Sequence, residues 1–423
     1  PSDWPTGWVL ILSAISAEAK MANILYLVHR LPYPPNKGDK VRSYNLLKHL
    51  ATQHRVYLGT FIDDPDDEPH IATVRALCAD VHVARLDPRF ARILSLSSLL
   101  AGEALTLGYY RSSALRSWVN ETCQRRHIDT AVIFSSAMAQ YLEEQPRIPT
   151  IIDFVDVDSA KWTQYAPRHR WPLSWLYRRE GVLLLDYERR MAGRASRSFF
   201  ATDKEVALFI QKAPECRVRV QTMGNGVDAD YFSADDMRSS PFRPDELPVV
   251  FTGAMDYLPN VDAATWFASD VLPGLLQRWP AARFYIVGRS PAAEVLALAS
   301  DRIVVTGTVD DVRPYLQHAA TVVAPLRIAR GIQNKILEAM AMSRPVIAST
   351  DCAAAVDAVV GQELLTAASP EEYVAAISQV LEAPETGTAL GRAARQRVVE
   401  RYTWEAHMKA IDPYLPAPSP REP

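Results

Sequence analysis

Short β-rich apolar runs alternate with helix-periodic segments along nearly the whole chain, and this alternation limits the possible folds more than any other feature. In the first half the runs fall at 24–28, 56–61, 81–83, 131–134, 151–155, 198–202 and 218–223. In the second half they fall at 249–252, 283–287, 303–306, 321–324 and 346–349. Between them lie segments such as 44–50 and 336–342, with apolar residues three and four apart, the period of a helix face. Strands that alternate with helices pair in parallel, because each crossover helix brings the next strand back in the same direction. This many strands overfills one ordinary sheet, so the expectation is two doubly wound, Rossmann-like α/β domains.

Composition sets the boundaries. Residues 1–20 include an apolar run at 8–17 that resembles the core of a signal peptide, but no Lys or Arg precedes it. They are expected to be an extension outside the fold, with the first domain at 21–228. A polar stretch carrying Ser239, Ser240, Pro241, Pro244 and Pro248 marks a linker at 229–248. The second domain spans 249–400 and closes on one long helical segment at 370–401. Residues 401–412 are expected to pack back on the first domain, and 413–423 to form a proline-rich tail. The net charge of −3 gives no global basic field for nucleic acid. Cys78, Cys123, Cys216 and Cys352 are widely spaced, which fits a reducing cytoplasm and neither a zinc knuckle nor a disulfide framework. No run reaches the ~18 apolar residues of a membrane helix. Two segments leave a membrane surface open: 89–110, rich in Leu and Ser, and 168–194, where tryptophans and tyrosines mix with arginines. Their ordinary alternative is a partly buried helix with a solvated basic face.

Ligands of open α/β sheets bind beyond the carboxyl ends of strands. The run 321–324 leads into a loop with Arg327, Arg330 and Gly331, then a helix from about Gln333 that carries Lys335 and Glu338. Free N–H groups at a helix start favour an anion, and Gly331 permits close backbone approach. Each contact between a cation and a phosphate is worth about 4 kcal/mol before desolvation, at an effective dielectric near 20. Glu338 lies one turn beyond Lys335, where a carboxylate suits ribose hydroxyls. An exposed Lys335–Glu338 surface pair, worth tenths of a kcal/mol, is the structural alternative.

This string resembles the donor-site signature of the retaining GT-B glycosyltransferases of family 4. Glu338-Ala339-Met340-Ala341 and Gly331 match that signature, while Arg330 stands where the family has its first glutamate. Gly224-Asn225-Gly226-Val227-Asp228 and Phe251-Thr252-Gly253 match the segments that end the first domain and open the second. Ala254, Met255, Asp256 and Tyr257 replace the cations usual there. The resemblance implies a GT-B architecture, with two Rossmann-like domains facing across a cleft, and a hexosyltransferase-type enzyme that retains anomeric configuration. It implies that Glu338 binds the ribose and that Lys335 with an arginine binds the diphosphate. The implied donor set is Gly38, Lys40, Gly253, Arg327, Arg330, Gly331, Ile332, Gln333, Asn334, Lys335 and Glu338. Gly38 and Lys40 belong to the loop His29–Ser43, which is similar to the family's glycine loop; its alternative is an ordinary proline-stiffened loop.

After the run 151–155 come Asp156 and Asp158, candidates to orient an acceptor hydroxyl or take its proton. Helix capping by Asp158 or Ser159 is equally open. Asp153, Asp156 and Asp158 also invite a metal reading, which this fold class does not require. Of nine scattered histidines, only His29 ends a strand. Together with 31–40 and 257–260, these segments are similar to the sugar transferases of bacterial exopolysaccharide and exosortase (PEP-CTERM) systems. The expected activity moves a sugar from a nucleoside diphosphate sugar, a co-substrate with no further cofactor or metal, to a glycan or lipid-linked hydroxyl acceptor. Its expected place is the cytoplasm or the inner face of the membrane. A nucleotide-sugar epimerase on the same fold, or a non-catalytic binder, stands as the alternative.

Overall fold

A computed structural model describes residues 21–35, 37–328 and 332–416. The extension 1–20, Arg330, Gly331 and the end of the tail lie outside the described residues. The chain forms two compact units. Unit 1 runs to Met223 and takes back the chain from Ile411; unit 2 is Gly224–Ala410.

Unit 1 holds a seven-stranded sheet built from β1 (Asn23–Val28), β2 (Arg55–Ile62), β3 (Asp80–Arg85), β4 (Thr130–Phe134), β5 (Thr150–Val155), β6 (Arg197–Phe200) and β7 (Val220–Thr222). Its order is β3-β2-β1-β4-β5-β6-β7, with every pairing parallel. Unit 2 holds six strands: β8 (Leu247–Thr252), β9 (Ala282–Val287), β10 (Ile303–Gly307), β11 (Thr321–Ala324), β12 (Val346–Ser349) and β13 (Leu365–Ala367). Its order is β10-β9-β8-β11-β12-β13, again all parallel. Central strands such as β4 and β11 are buried along their full length. Helices cover both faces of a parallel sheet, so such strands read as continuous apolar runs. In each sheet the order reverses once, between β1 and β4 and between β8 and β11, the position at which sheets of this kind bind their ligands.

Several elements differ from the sequence expectation. The strand β13 was not anticipated; at three residues it is too short to show a period. The segment 370–401 is two helices, Pro370–Glu382 and Pro384–Arg401, parted at Ala383. Proline disfavours a helical residue before it and has no N–H to continue the ladder. The first helix starts at Gly38 rather than near Arg42. The stretch 229–248, read as a linker from its prolines, packs onto unit 2: Phe232 and Phe242 lie against its core, and the Phe242 ring meets that of Tyr285 at 4.6 Å. Residues 401–410 also belong to unit 2, where Val227 N–H donates to Tyr402 O at 2.7 Å. Residues 411–416 rest in unit 1, through His49–Asp412 at 2.6 Å and Tyr414 to Gln221 at 3.1 Å.

Candidate functional site

A cavity of about 610 Å³ opens in unit 2 at the reversal of strand order. The ends of β8 (Thr252, Gly253) and β9 (Val287, with Gly288 and Arg289 beyond it) line it, as do Thr308 and Val309 after β10 and Asn260 of the helix Leu258–Trp266. Residues Ile332, Gln333, Asn334, Lys335 and Glu338 line the remainder.

Lys335 and Glu338 sit on the helix Asn334–Ala341, whose first turn carries no side-chain cap. Ile336, Leu337, Ala339, Met340 and Ala341 anchor that helix in the core, which holds the charged pair at the cavity. Lys335 is buried, and its Nζ donates to Asn260 Oδ1 at 2.6 Å. Asn260 is itself fixed, because its Nδ2 donates to Ala254 O at 2.8 Å; its carbonyl oxygen is therefore the atom turned to the lysine. The ammonium also stands 4.1 Å from the Phe251 ring centroid. Burial pulls the Lys335 pKa down to about 7 and pushes that of half-buried Glu338 up to about 7, with each charge partly offsetting the shift of the other. No ion pair within 4.0 Å joins the two, so the exposed surface pair is not what the chain forms. A buried ammonium met by one neutral amide is held where a second, anionic partner would stabilise it.

Two glycines make this packing possible. A Cβ at Gly253 would come within 2.9 Å of Lys335 Nζ and 2.7 Å of Asn260 Nδ2. A Cβ at Gly288 would lie 1.7 Å from Gly253 O, a contact no side chain survives. Thr252 adds a buried hydroxyl with no hydrogen-bond partner among the described residues.

The other expected cations are placed differently. Arg327 is not at the cavity: it pairs with Asp262, Nε to Oδ2 at 3.0 Å, and lies over the Trp266 ring at 5.4 Å. Arg330 and Gly331 are outside the described residues. Arg289 is exposed on the cavity lining and was missed from sequence, although it directly follows the strand-end Gly288. Asn260 and Thr308, which also line the cavity, were missed too, since nothing in their spacing singles them out.

In unit 1 Gly38 is the first helical residue, with open space where a Cβ would be. Lys40, expected at phosphate, is buried against Asp67 at 2.6 Å, and its ammonium is already spent. Asp153 is buried in a two-point pair with Arg42 at 2.7 and 3.0 Å. Asp156 and Asp158 are accessible and share Lys161 at 2.8 and 3.0 Å. Neither Asp158 nor Ser159 caps the helix Asp158–Tyr165; Val157 holds the cap position, and Ser159 Oγ donates to Glu188 at 2.6 Å. No group of three or more potential metal ligands gathers among the described residues. His29 Nε2 lies 3.3 Å from Asp39 Oδ2, and its ring stacks on Phe134. At the ends of β4 and β5, Ser135 (φ 76°) and Val155 (φ 68°) occupy the left-handed region, which is costly for a β-branched residue.

Residues 246–383 match the family model Glycosyl transferases group 1. No curated protein matches the sequence significantly. Among solved structures, Anabaena Alr3699/HepE in complex with UDP aligns at TM-score 0.61 and 15% identity, over 93% of this chain and 99% of that one. The same protein in complex with UDP-glucose aligns at TM-score 0.58 and 15% identity, over 92% and 98%. Sucrose-phosphate synthase from Thermosynechococcus elongatus aligns at TM-score 0.58 and 15% identity, over 93% and 98%. This likeness establishes the fold: two parallel-sheet α/β domains of the GT-B type.

Proposed function

We propose that the chain is a glycosyltransferase that takes a sugar from a nucleoside diphosphate sugar and passes it to a hydroxyl acceptor. The observation that carries this reading is the buried Lys335 ammonium in the unit 2 cavity, hydrogen-bonded to one neutral amide and in no ion pair within 4.0 Å among the described residues, with Glu338 acting on it only at longer range. The family-model match over the same residues supports it, and a neighbour of this fold is solved with UDP and with UDP-glucose.

In this reading the diphosphate lies between Lys335 and Arg289, against the start of the helix Asn334–Ala341 and the glycine backbone at Gly253. Glu338, as a carboxylate, accepts from the ribose hydroxyls. Charge grows on the diphosphate as the glycosidic bond breaks, and Lys335 meets it with an orientation already fixed by Asn260. Removing one such preorganised contact costs about 3–4 kcal/mol of barrier. Asp156 or Asp158 orients the acceptor hydroxyl, Arg330 and Gly331 complete the donor loop, and Gly38 offers backbone for close approach. Retention of configuration, independence of metal and cofactor, a role in bacterial exopolysaccharide or glycoconjugate synthesis, and work in the cytoplasm belong to the same proposal.

The test is a thermal-shift screen against UDP, GDP, ADP and their sugars, since ligand at one hundred times its Kd stabilises the native state by about 2.7 kcal/mol. The nucleotide sugar that binds is then assayed for acceptor-dependent release of nucleoside diphosphate. Lys335→Ala and Glu338→Ala are expected to lose both signals while remaining folded; full activity in both variants removes the site assignment. An isomerised donor formed without acceptor would identify an epimerase. Binding without turnover across a broad acceptor panel would identify a non-catalytic binder.

A further inference from the structure

The helices Pro88–Ser95 and Ser97–Ala101 bury the wrong residues. Ala91, Ser95 and Ser98 face the protein, while Phe90, Ile93, Leu94, Leu96 and Leu100 face solvent, Leu100 with 95% of its surface exposed. Packing enforces this inversion. A Cβ at Gly108, in the helix Leu105–Tyr109, would lie 2.3 Å from Ser98 Oγ and 3.1 Å from Ser95 Cα, so only small residues fit the seam. Arg179 then clamps the end of the second helix, donating to Glu103 O at 3.0 Å and to Ser98 O at 3.2 Å. The apolar side chains are therefore held outward by a rigid seam.

Arg179 belongs to the long helix Leu173–Arg194, and beside it opens an apolar hollow of about 510 Å³ lined by Leu99, Trp175, Val182 and Leu183. Trp171, Leu173 and Trp175 continue the exposed apolar surface, at 81%, 45% and 52%. Within residues 88–102 and 165–179 every Asp, Glu, Lys or Arg is an arginine, and Arg89, Arg92, Arg170 and Arg178 are exposed; the flanking carboxylates are engaged, Asp87 capping the helix Pro88–Ser95 and Glu103 pairing with Arg111.

We propose that this face docks on an anionic lipid surface, with its leucines and tryptophans in the acyl boundary and its arginines among the headgroup phosphates. Charge complementarity selects that occupant. A second copy meeting the same face about a two-fold axis would set arginine against arginine. No described helix is long and apolar enough to cross a membrane, which fits attachment in the plane of the interface. The inference does not depend on the donor-site reading.

The test is co-sedimentation of the full chain with vesicles of phosphatidylcholine alone and of phosphatidylcholine mixed with phosphatidylglycerol. We expect binding to the mixed vesicles at least about tenfold tighter, weakening as salt rises. Arg92→Gln and Arg178→Gln should each weaken it roughly fivefold. Ile93→Glu and Leu100→Glu should abolish it without lowering the melting temperature. Equal or absent binding of the wild type to the two vesicle types overturns the proposal, as does undiminished binding of the Ile93→Glu and Leu100→Glu variants. A dimer in sedimentation velocity that Leu100→Glu dissolves, with no vesicle binding, would assign the face to a second copy instead.

Discussion

In unit 1, basic side chains near the strand ends meet carboxylates: Lys40 meets Asp67, Arg42 meets Asp153, and Arg30 meets Asp39 at 2.6 Å and Asp63 at 2.8 Å. In unit 2 the corresponding buried cation, Lys335, donates to the amide of Asn260 and forms no ion pair among the described residues. The strand orders are equivalent, so topology does not cause the difference. A buried ion pair cancels its own charge and has nothing left for a ligand, whereas a buried ammonium on a neutral acceptor keeps its desolvation penalty until an anion arrives. The unit 2 cavity thus holds a buried cation that no described carboxylate pairs with.

Breaking a unit 1 pair should give the largest effect. Asp153→Ala leaves Arg42 charged and buried without the carboxylate it pairs with. Urea unfolding should show a loss of about 3–5 kcal/mol. A loss under about 1 kcal/mol would mean that water reaches Arg42 and that the two units do not differ as argued.

Lys335→Met should behave in the opposite way. Donor turnover should fall about 100- to 1,000-fold, equal to roughly 2.7–4 kcal/mol of barrier, while the empty protein should melt higher, because a desolvated charge has gone. Full-progress kinetics and calorimetry on one preparation check both. A variant that loses activity and stability together would show Lys335 to be structural, as Lys40 is.

The pH dependence sharpens the same contrast. Lys335 titrates at about 7 folded against 10.5 unfolded, so the folded chain binds fewer protons between those values and stability should rise with pH across that window. Glu338 titrates at about 7 folded against 4.5 unfolded, so the folded chain binds more protons there and stability should fall as pH rises from 4.5 to 7. The empty protein should therefore show a dip in stability near pH 7, which the double variant Lys335→Met, Glu338→Gln lacks. Donor affinity should peak near neutrality, falling up to about tenfold per pH unit on either side. A flat profile for both would sink the coupling of these two groups to the cavity.

These outcomes bear on what the sequence could reveal. Strand–helix alternation exposed both sheets, since buried parallel strands are the most continuous apolar runs a soluble chain makes. It hid β13, which is too short for a period, and merged two helices across Ala383, where the apolar pattern ran on through a proline. That Lys335 and Glu338 face one cavity was legible because their spacing sits on one helix behind a strand end. Lys40 was misjudged because its partner Asp67 is 27 positions away, a distance at which no local pattern reports pairing. Arg289 was overlooked because Gly288 reads as a turn whether or not the next side chain faces a ligand.

The smallest effect should come from the exposed cluster that departs from the unit 1 rule. Lys161 bridges Asp156 and Asp158, but all three side chains keep roughly a third to a half of their surface, at 47%, 38% and 32%. Solvent screening and side-chain entropy leave such a pair worth about 0–1 kcal/mol, so Lys161→Ala should hardly move the unfolding midpoint. The same weakness makes these carboxylates the unit 1 acids that a substrate hydroxyl could win from their lysine at little cost. Asp156→Asn and Asp158→Asn should accordingly leave stability and donor KM unchanged and lower kcat in at least one case, by about 100-fold or more if the carboxylate takes the acceptor proton. Unchanged kcat in both would return the cluster to the surface, and a stability loss above about 1 kcal/mol would place it with Arg42 and Asp153 among the pairs that hold the sheet together.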